Sequence, residues 1–256
     1  MRVAVITGAA QGIGRRTSEV LAEQGYSLAL NDLRTPAETL AAVRARGAAA
    51  LELVGNVADE AFVPRCVEAV QKRWHRVDVL VNNAGISFMA PAEATGADDF
   101  RRVIEVNLVA PFLLAKAFGA LMLEQKSGSI INVASVAGLV GIADRTAYNA
   151  SKHGLVGLTR TLAAEWGGHG VRCNAVCPGW VKTEMDRADQ AGGSYTDADI
   201  IGRVPMARFA APDDIALAIA FLADPAQSGF INGHALVVDG GWTADGSWET
   251  LRLKHR

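Results

Sequence analysis

The chain has 256 residues, half of them apolar and 20% charged, which suits one α/β domain large enough for a continuous core. Its 25 basic and 27 acidic residues leave a formal charge of −2 with no strongly basic block. That excludes nucleic acid or an anionic membrane as the expected main partner.

Met1-Arg2 runs straight into a short apolar strand, 2–7, too brief for the core of a signal peptide. No uninterrupted apolar run reaches membrane-spanning length. The strand ends in Thr7-Gly8-Ala9-Ala10-Gln11-Gly12-Ile13-Gly14, and a helix is predicted over 12–24. Glycines there permit a tight turn and let backbone N–H groups approach a pyrophosphate at the positive end of the helix. The second strand, 27–31, is followed by Asp32, 18 residues after Gly14. An acid at that place hydrogen-bonds ribose hydroxyls and repels a 2′-phosphate, so it predicts NAD over NADP. Arg15 and Arg34 are the nearby residues that would soften this preference.

The next helix, 36–46, carries a start signal of Thr35 as N-cap, Pro36 at N1 and Glu38 three residues after the cap. Further strands are predicted at 49–54, 78–82, 128–134, 171–177 and 234–238, and further helices near 59–73, 99–125, 147–167 and 212–223. Continuous apolar strands alternating with helices predict a doubly wound parallel sheet of about seven strands, covered on both faces. No repeat or linker divides the chain, so 1–256 reads as a single dinucleotide-binding Rossmann domain. Within it, 183–211 lacks a clear element and is expected to be a mobile insert over the site, and 242–256 forms a C-terminal tail. Cys66, Cys173 and Cys177 are too sparse for a disulfide framework and predict reduced thiols in a cytoplasmic protein. The five histidines do not cluster, so no metal site is expected.

The helix 147–167 opens with Tyr148-Asn149-Ala150-Ser151-Lys152. Residues four apart share a helix face, which sets an ammonium one turn from a phenol. A fixed cation favours the phenolate and lowers its pKa toward the range where it exchanges protons with alcohols and carbonyls. With a hydride carrier at the glycine turn, the pair predicts carbonyl and alcohol chemistry.

Taken together and in order, these residues resemble the short-chain dehydrogenase/reductase family over essentially 3–241. The resemblance rests on Thr7–Gly14, Asn82-Asn83-Ala84-Gly85, Asn107, Ser135, Tyr148 with Lys152, Pro178-Gly179 with Thr183, and Val238-Asp239-Gly240-Gly241. It implies Tyr148 as the general acid/base and Ser135 as the donor that polarises the substrate oxygen. It also implies that Lys152 lowers the tyrosine pKa and holds the nicotinamide ribose, and that Asn107 anchors a water chain for protons. Gly8, Gln11, Gly12, Ile13, Gly14, Asp32, Asn83, Ala84 and Gly85 would hold the dinucleotide, with Pro178, Gly179, Val181 and Thr183 around the nicotinamide. Many relatives have an aspartate after the third strand where this chain has Asn56, beside Val57, so a modest effect on adenine binding is expected.

Candidate pocket residues are Phe88, Met89, Ala137, Leu139, Val140, Ile142, Trp180 and Met185 beside Ser135 and Tyr148, and they predict a mainly apolar pocket. The family includes 3-oxoacyl-carrier-protein reductases, broad carbonyl reductases, steroid dehydrogenases and polyol or sugar dehydrogenases. Carrier-protein reductases present basic residues near the entrance, and Ile86–Glu93 has none. The expected reaction is therefore reversible oxidation of a secondary alcohol on a small polyol, sugar or hydroxy compound. A non-catalytic nucleotide sensor, the competing class, would have no need of the tyrosine, lysine and serine. The resemblance also implies a homotetramer, and Trp242 and Trp248 suggest that the tail packs on a neighbouring subunit.

Overall fold

The apolar strands assemble into one seven-stranded parallel sheet in the computed structural model, which describes residues 1–193 and 195–247. The strands are β1 Arg2–Thr7, β2 Tyr26–Asp32, β3 Ala50–Val54, β4 Val79–Asn82, β5 Gly128–Val133, β6 Val171–Pro178 and β7 Ala235–Val238, in spatial order β3-β2-β1-β4-β5-β6-β7. Each central strand is buried on both faces, as in β1, where Val3 to Ile6 are almost fully enclosed. One core cluster lies on one face around Ile6, Leu28, Ile131 and Ile219, and a second lies on the other around Val5, Leu80, Phe118 and Ile130. Each fully buried Leu or Ile side chain contributes about 1.5–3 kcal/mol to that packing.

The helices are α1 Gly12–Glu23, α2 Ala37–Ala45, α3 Phe62–Trp74, α4 Ala97–Ile104, α5 Ala110–Gln125, α6 Thr146–Trp166, α7 Glu184–Gln190, α8 Asp197–Arg203, α9 Pro212–Ala223 and α10 Pro225–Ser228. Six differ from the sequence expectation in ways that matter. The helix predicted from Thr35 begins at Ala37 with Pro36 as its cap residue, and no side chain caps it. Instead the Thr35 carbonyl accepts the Ala37 N–H, and Glu38 pairs with Arg15 rather than closing a capping box. α3 begins three residues later than predicted, because the Asp59 carboxylate first accepts the Ala61 N–H in a turn.

The single helix expected over 99–125 is α4 and α5 joined by a π turn, Glu105–Val109. Pro111 has no N–H to donate, so the backbone ladder must shift in this region. By length and apolar composition Ala97–Gln125 matches a membrane span. Here it is a core helix: Leu114, Phe118 and Met122 are buried in the second cluster.

The stretch 183–211, expected to lack a clear element, contains α7 and α8. Thr183 caps α7 by accepting the Asp186 N–H, and Thr196 with Asp199 forms a capping box on α8. Loop-like residues at its ends are thus helix-start signals. Beyond β7, Asp239 accepts hydrogen bonds from the Gly241 and Thr243 N–H groups and the Thr243 hydroxyl. The first tail residues therefore fold onto their own domain. The expected packing of the remaining tail, 248–256, lies outside the described residues.

Candidate active site

β1 is flanked by β2 on one side and β4 on the other, so connections leave it in opposite directions and a crevice opens at the strand ends. The glycine turn lies there. Gly8 adopts φ +65°, and a Cβ on it would stand 2.9 Å from the Ala84 Cα, so two backbone turns touch. The contact is stitched from both sides. Thr7 Oγ1 accepts the Asn83 and Ala84 N–H groups, each at 3.0 Å, and the Asn83 amide donates to the carbonyls of Thr7 and Gly8 at 2.9 and 3.0 Å. Gly14 lies one layer behind, where a Cβ would strike the Gly8 carbonyl. Its need is for close strand–helix packing, whereas Gly8, Gln11, Gly12 and Ile13 line the cleft. α1 has no side-chain N-cap and no acid in its first turn, so its positive end opens onto the cleft.

Asp32 closes β2 on the same cleft. Its carboxylate accepts the Ala10 N–H at 2.9 Å and the Leu33 N–H at 2.8 Å. Arg15 is engaged by Glu19 and Glu38, which matches its charge with two carboxylates, while Arg34 lines the cleft. Asn56 and Val57 also line it, and the Asn56 carboxamide oxygen accepts the Ala58 N–H in a local turn.

Deeper in, β5 delivers Ser135 and α6 delivers Tyr148 and Lys152. Ser135 is extended and starts a single 3-10 turn, with its Oγ accepting the Ala137 N–H at 3.1 Å. A serine hydroxyl that already accepts in this way still has its proton to donate. Enclosure raises the Tyr148 pKa above that of a free phenol, while hydrogen bonding with Ser135 and the Arg145 cation pull it back. Lys152 is 4% exposed, and burial lowers its ammonium to about 8. Its Nζ donates to the Val133 carbonyl at 2.7 Å and lies 5.6 Å from the Tyr148 ring centroid. Arg145, with its guanidinium 6.0 Å from the same ring centroid, is thus a second cation beside Tyr148 that the sequence spacing had not pointed to.

Asn107, on the π turn, is fully buried and does not line the cleft. Its oxygen accepts the Ile86 N–H, and its amide donates to the Ile86 carbonyl and to Ser151 Oγ. Ser151 in turn donates to the Tyr148 carbonyl. This side chain clamps the exit of β4 to α6. Gly85 lies between them, and a Cβ there would stand 3.2 Å from Asn107 Oδ1 and 3.7 Å from Lys152 Nζ.

Pro178, Gly179, Val181 and Thr183 line the cleft after β6. Gly179 is required by the close approach of Asp239, whose Cα a Cβ would meet at 2.9 Å. Ala137, Ile142, Trp180 and Met185 form an apolar wall, whereas Phe88, Met89, Leu139 and Val140 do not line the cleft. Leu139 packs on a third small core cluster. The edge of Trp180 meets Trp242 with ring centroids 5.0 Å apart, so part of the tail buttresses this wall.

Sequence reasoning missed the polar part of the lining. Arg145, Asp186, Asp189 and Tyr195 form it, within a cleft whose lining is otherwise mainly apolar, as expected. Arg145 sits three residues before Tyr148, a signal available in the sequence. The acids arrive only because α7 forms, which sequence reading had not foreseen. Among the described residues no group of three His, Cys, Asp or Glu is placed to hold a metal, and Cys66, Cys173 and Cys177 are buried free thiols.

A family model described as enoyl-(acyl carrier protein) reductase matches residues 8–243. The chain is 42% identical to a D-threitol dehydrogenase of Mycolicibacterium smegmatis, covering 94% of this chain and 93% of that protein. It is 38% identical to a 3-oxoacyl-[acyl-carrier-protein] reductase of Synechocystis, covering 94% and 96%. A crystal structure of a putative NAD(P)-dependent gluconate 5-dehydrogenase from Beutenbergia cavernae, with bound NADP at low occupancy, superposes with a TM-score of 0.89. It is 40% identical and covers 95% of this chain and 97% of that one.

Proposed function

The chain belongs to the short-chain dehydrogenase/reductase family and is an oxidoreductase acting on alcohols and ketones; from that premise we propose that it is an NAD-dependent dehydrogenase of a small polyol, sugar or hydroxy compound. The observation that carries the reading is the convergence of Ser135, Tyr148 and Lys152 on the cleft that the glycine turn opens.

The residues fit a dinucleotide. Gly8, Gln11, Gly12 and Ile13 with the open end of α1 suit its pyrophosphate, Asp32 its adenine ribose, and Asn56 and Val57 its adenine. Asn83, Ala84, Gly85, Tyr148 and Lys152 suit the nicotinamide ribose, and Pro178, Gly179, Val181 and Thr183 the nicotinamide itself. NAD, when bound, supplies the acceptor for the substrate hydride. Asp32 supports NAD over NADP, because a 2′-phosphate would meet its carboxylate and Arg15 is already paired.

In the oxidative direction Tyr148 Oη takes the proton of the substrate hydroxyl. The Ser135 hydroxyl donates to the same substrate oxygen and holds it toward Tyr148. Negative charge that builds on this oxygen is met by two positioned donors in a water-poor cleft, which is where such donors count most. Lys152 is placed beside the Tyr148 ring and is positioned to hold ribose hydroxyls. Asn107 fixes the position of α6 relative to the β4 exit.

Glu184, Asp186 and Asp189 on the cleft wall disfavour an acidic carrier protein and support a small free substrate. We further propose a cytoplasmic homotetramer, supported by the three free thiols and by apolar side chains left exposed on α9 and β7, Leu217 and Val237. The functional test is a panel of polyols, sugars, 2-hydroxy ketones, β-keto esters and a short acyl thioester, in both directions with NAD(H) and NADP(H). Turnover of polyols with NAD at a higher kcat/KM than with NADP supports the reading. Activity confined to the acyl thioester with NADPH would overturn it.

A further inference from the structure

Arg145 is a charged residue within the substrate cleft whose part in the reaction so far is only its charge beside Tyr148. Its side chain is nine-tenths buried, and its guanidinium lies 6.0 Å from the Tyr148 ring centroid. One nitrogen, Nη1, makes both of its hydrogen bonds, to Ser87 Oγ and to Asp189 Oδ2, each at 2.8 Å. A guanidinium carries five N–H donors. Neither Nε nor Nη2 has a hydrogen-bond partner among the described residues, and nor does the other Asp189 carboxylate oxygen. Both residues line the cleft, as does Trp180. Asp186, which also lines the cleft, pairs its Oδ2 with the Lys182 ammonium at 3.1 Å and accepts the Tyr195 hydroxyl on Oδ1 at 3.2 Å.

We infer that Arg145 and Asp189 form a subsite for a second, neutral hydroxyl of the substrate, one or two carbons from the carbon that is oxidised. This rests on the alcohol dehydrogenase reading above and names the feature of the alcohol that the site selects. A hydroxyl both accepts and donates, so one group satisfies a spare Arg145 N–H and the spare Asp189 oxygen. A hydrogen atom in its place leaves both cleft-lining groups without that partner once the substrate has displaced water, which a site built this way resists. A carboxylate fares worse than a hydroxyl. The Arg145 charge is already matched by Asp189, so a second anion meets Asp189 at close range with no free cation to balance it. Arg145 is therefore a determinant of polyol selectivity, and Asp189 is the element that rejects hydroxy acids.

The test compares four compounds with the wild-type enzyme and NAD: butane-2,3-diol, butane-1,3-diol, butan-2-ol and 3-hydroxybutyrate. Wild type is expected to prefer the better diol over butan-2-ol by about ten- to a hundredfold in kcat/KM, the effect of hydrogen bonds to charged groups. In Arg145→Met that ratio is expected to collapse toward one, whatever happens to the absolute rates. Asp189→Asn keeps the shape and removes the anion, so kcat/KM for 3-hydroxybutyrate relative to the diol is expected to rise at least tenfold. NADH binding by each variant shows that it has folded, and either variant alone can decide the question. A diol-to-butan-2-ol ratio near one in wild type, or unchanged in Arg145→Met, overturns the subsite while leaving the dehydrogenase reading intact. Preference of wild type for 3-hydroxybutyrate, lost in Arg145→Met, also overturns it and makes Arg145 a carboxylate clamp. No turnover of any of the four, or of the wider panel, is failure of the dehydrogenase reading itself.

Discussion

The Nζ of Lys152 donates a 2.7 Å hydrogen bond to the Val133 carbonyl, at the end of the strand that also delivers Ser135. The bond ties the helix of the proton-exchanging tyrosine to the strand of the oxygen donor. It also fixes an ammonium in a buried place, where its pKa falls to about 8 from an ordinary value of 10.5. The sign of the consequence follows directly. Between about pH 8 and 10.5 the unfolded chain holds this proton and the folded one releases it, so stability from this group rises with pH across that window. Wild type is expected to gain about 2 kcal/mol relative to Lys152→Met between pH 7.5 and 9.5. Denaturant titrations at the two pH values check it, and a constant difference between the proteins would contradict it.

Arg145 lowers the Tyr148 pKa against the raising effect of burial. Replacing this cation by methionine therefore raises the pKa, and the rise of oxidative kcat/KM with pH is expected to move to higher pH. Arg145→Lys retains a charge and is expected to shift less. The pH profile of butan-2-ol oxidation, which lacks the second hydroxyl, is the suitable readout.

Asn107 makes three hydrogen bonds from a fully buried position, two of them to the backbone of Ile86. Asn107→Ala leaves those backbone groups without partners, at a cost of about 2–4 kcal/mol in stability. Because the clamp also sets α6 against the β4 exit, kcat is expected to fall more than KM changes. Wild-type stability in the variant would show that the clamp carries little.

Asp32 accepts two backbone N–H groups at the mouth of the ribose site. Asp32→Ala is expected to shift the ratio of kcat/KM for NAD over NADP toward NADP by at least about tenfold, since one repelled charge pair of this kind is worth more than 1.4 kcal/mol in a partly buried site. Steady-state kinetics with both cofactors measure it. A wild type that already prefers NADP would refute the role given to Asp32.

Most of the fold was legible because buried parallel strands are largely apolar runs, and β1, β4, β5 and β6 are buried on both faces. The glycine turn, Asp32, Ser135, Tyr148 and Lys152 were legible because their chemistry depends on residue type at a strand end or on a four-residue helix spacing. What was not legible depends on tertiary packing. Pro111 marks a break in the helix ladder, but nothing local announces that the break is a π turn at Glu105–Val109 that turns Asn107 inward. The second cation beside Tyr148 was missed because only the four-residue spacing was read: Arg145 lies 6.0 Å from the ring centroid, while Lys152, at 5.6 Å, also donates to Val133. The polar wall was missed because Asp186 and Asp189 reach the cleft only when Thr183 caps a short helix.

The most direct test of the central claim is Tyr148→Phe, which removes one oxygen atom from the cleft. NADH affinity and wild-type and variant rates of NAD reduction with the better butanediol are measured in parallel. The expected result is NADH affinity within about threefold of wild type and a loss of kcat/KM of at least about a thousandfold, since general acid/base catalysis of this kind contributes about 10²–10⁴. A Tyr148→Phe enzyme that binds NADH normally and keeps a tenth of wild-type activity would contradict the account.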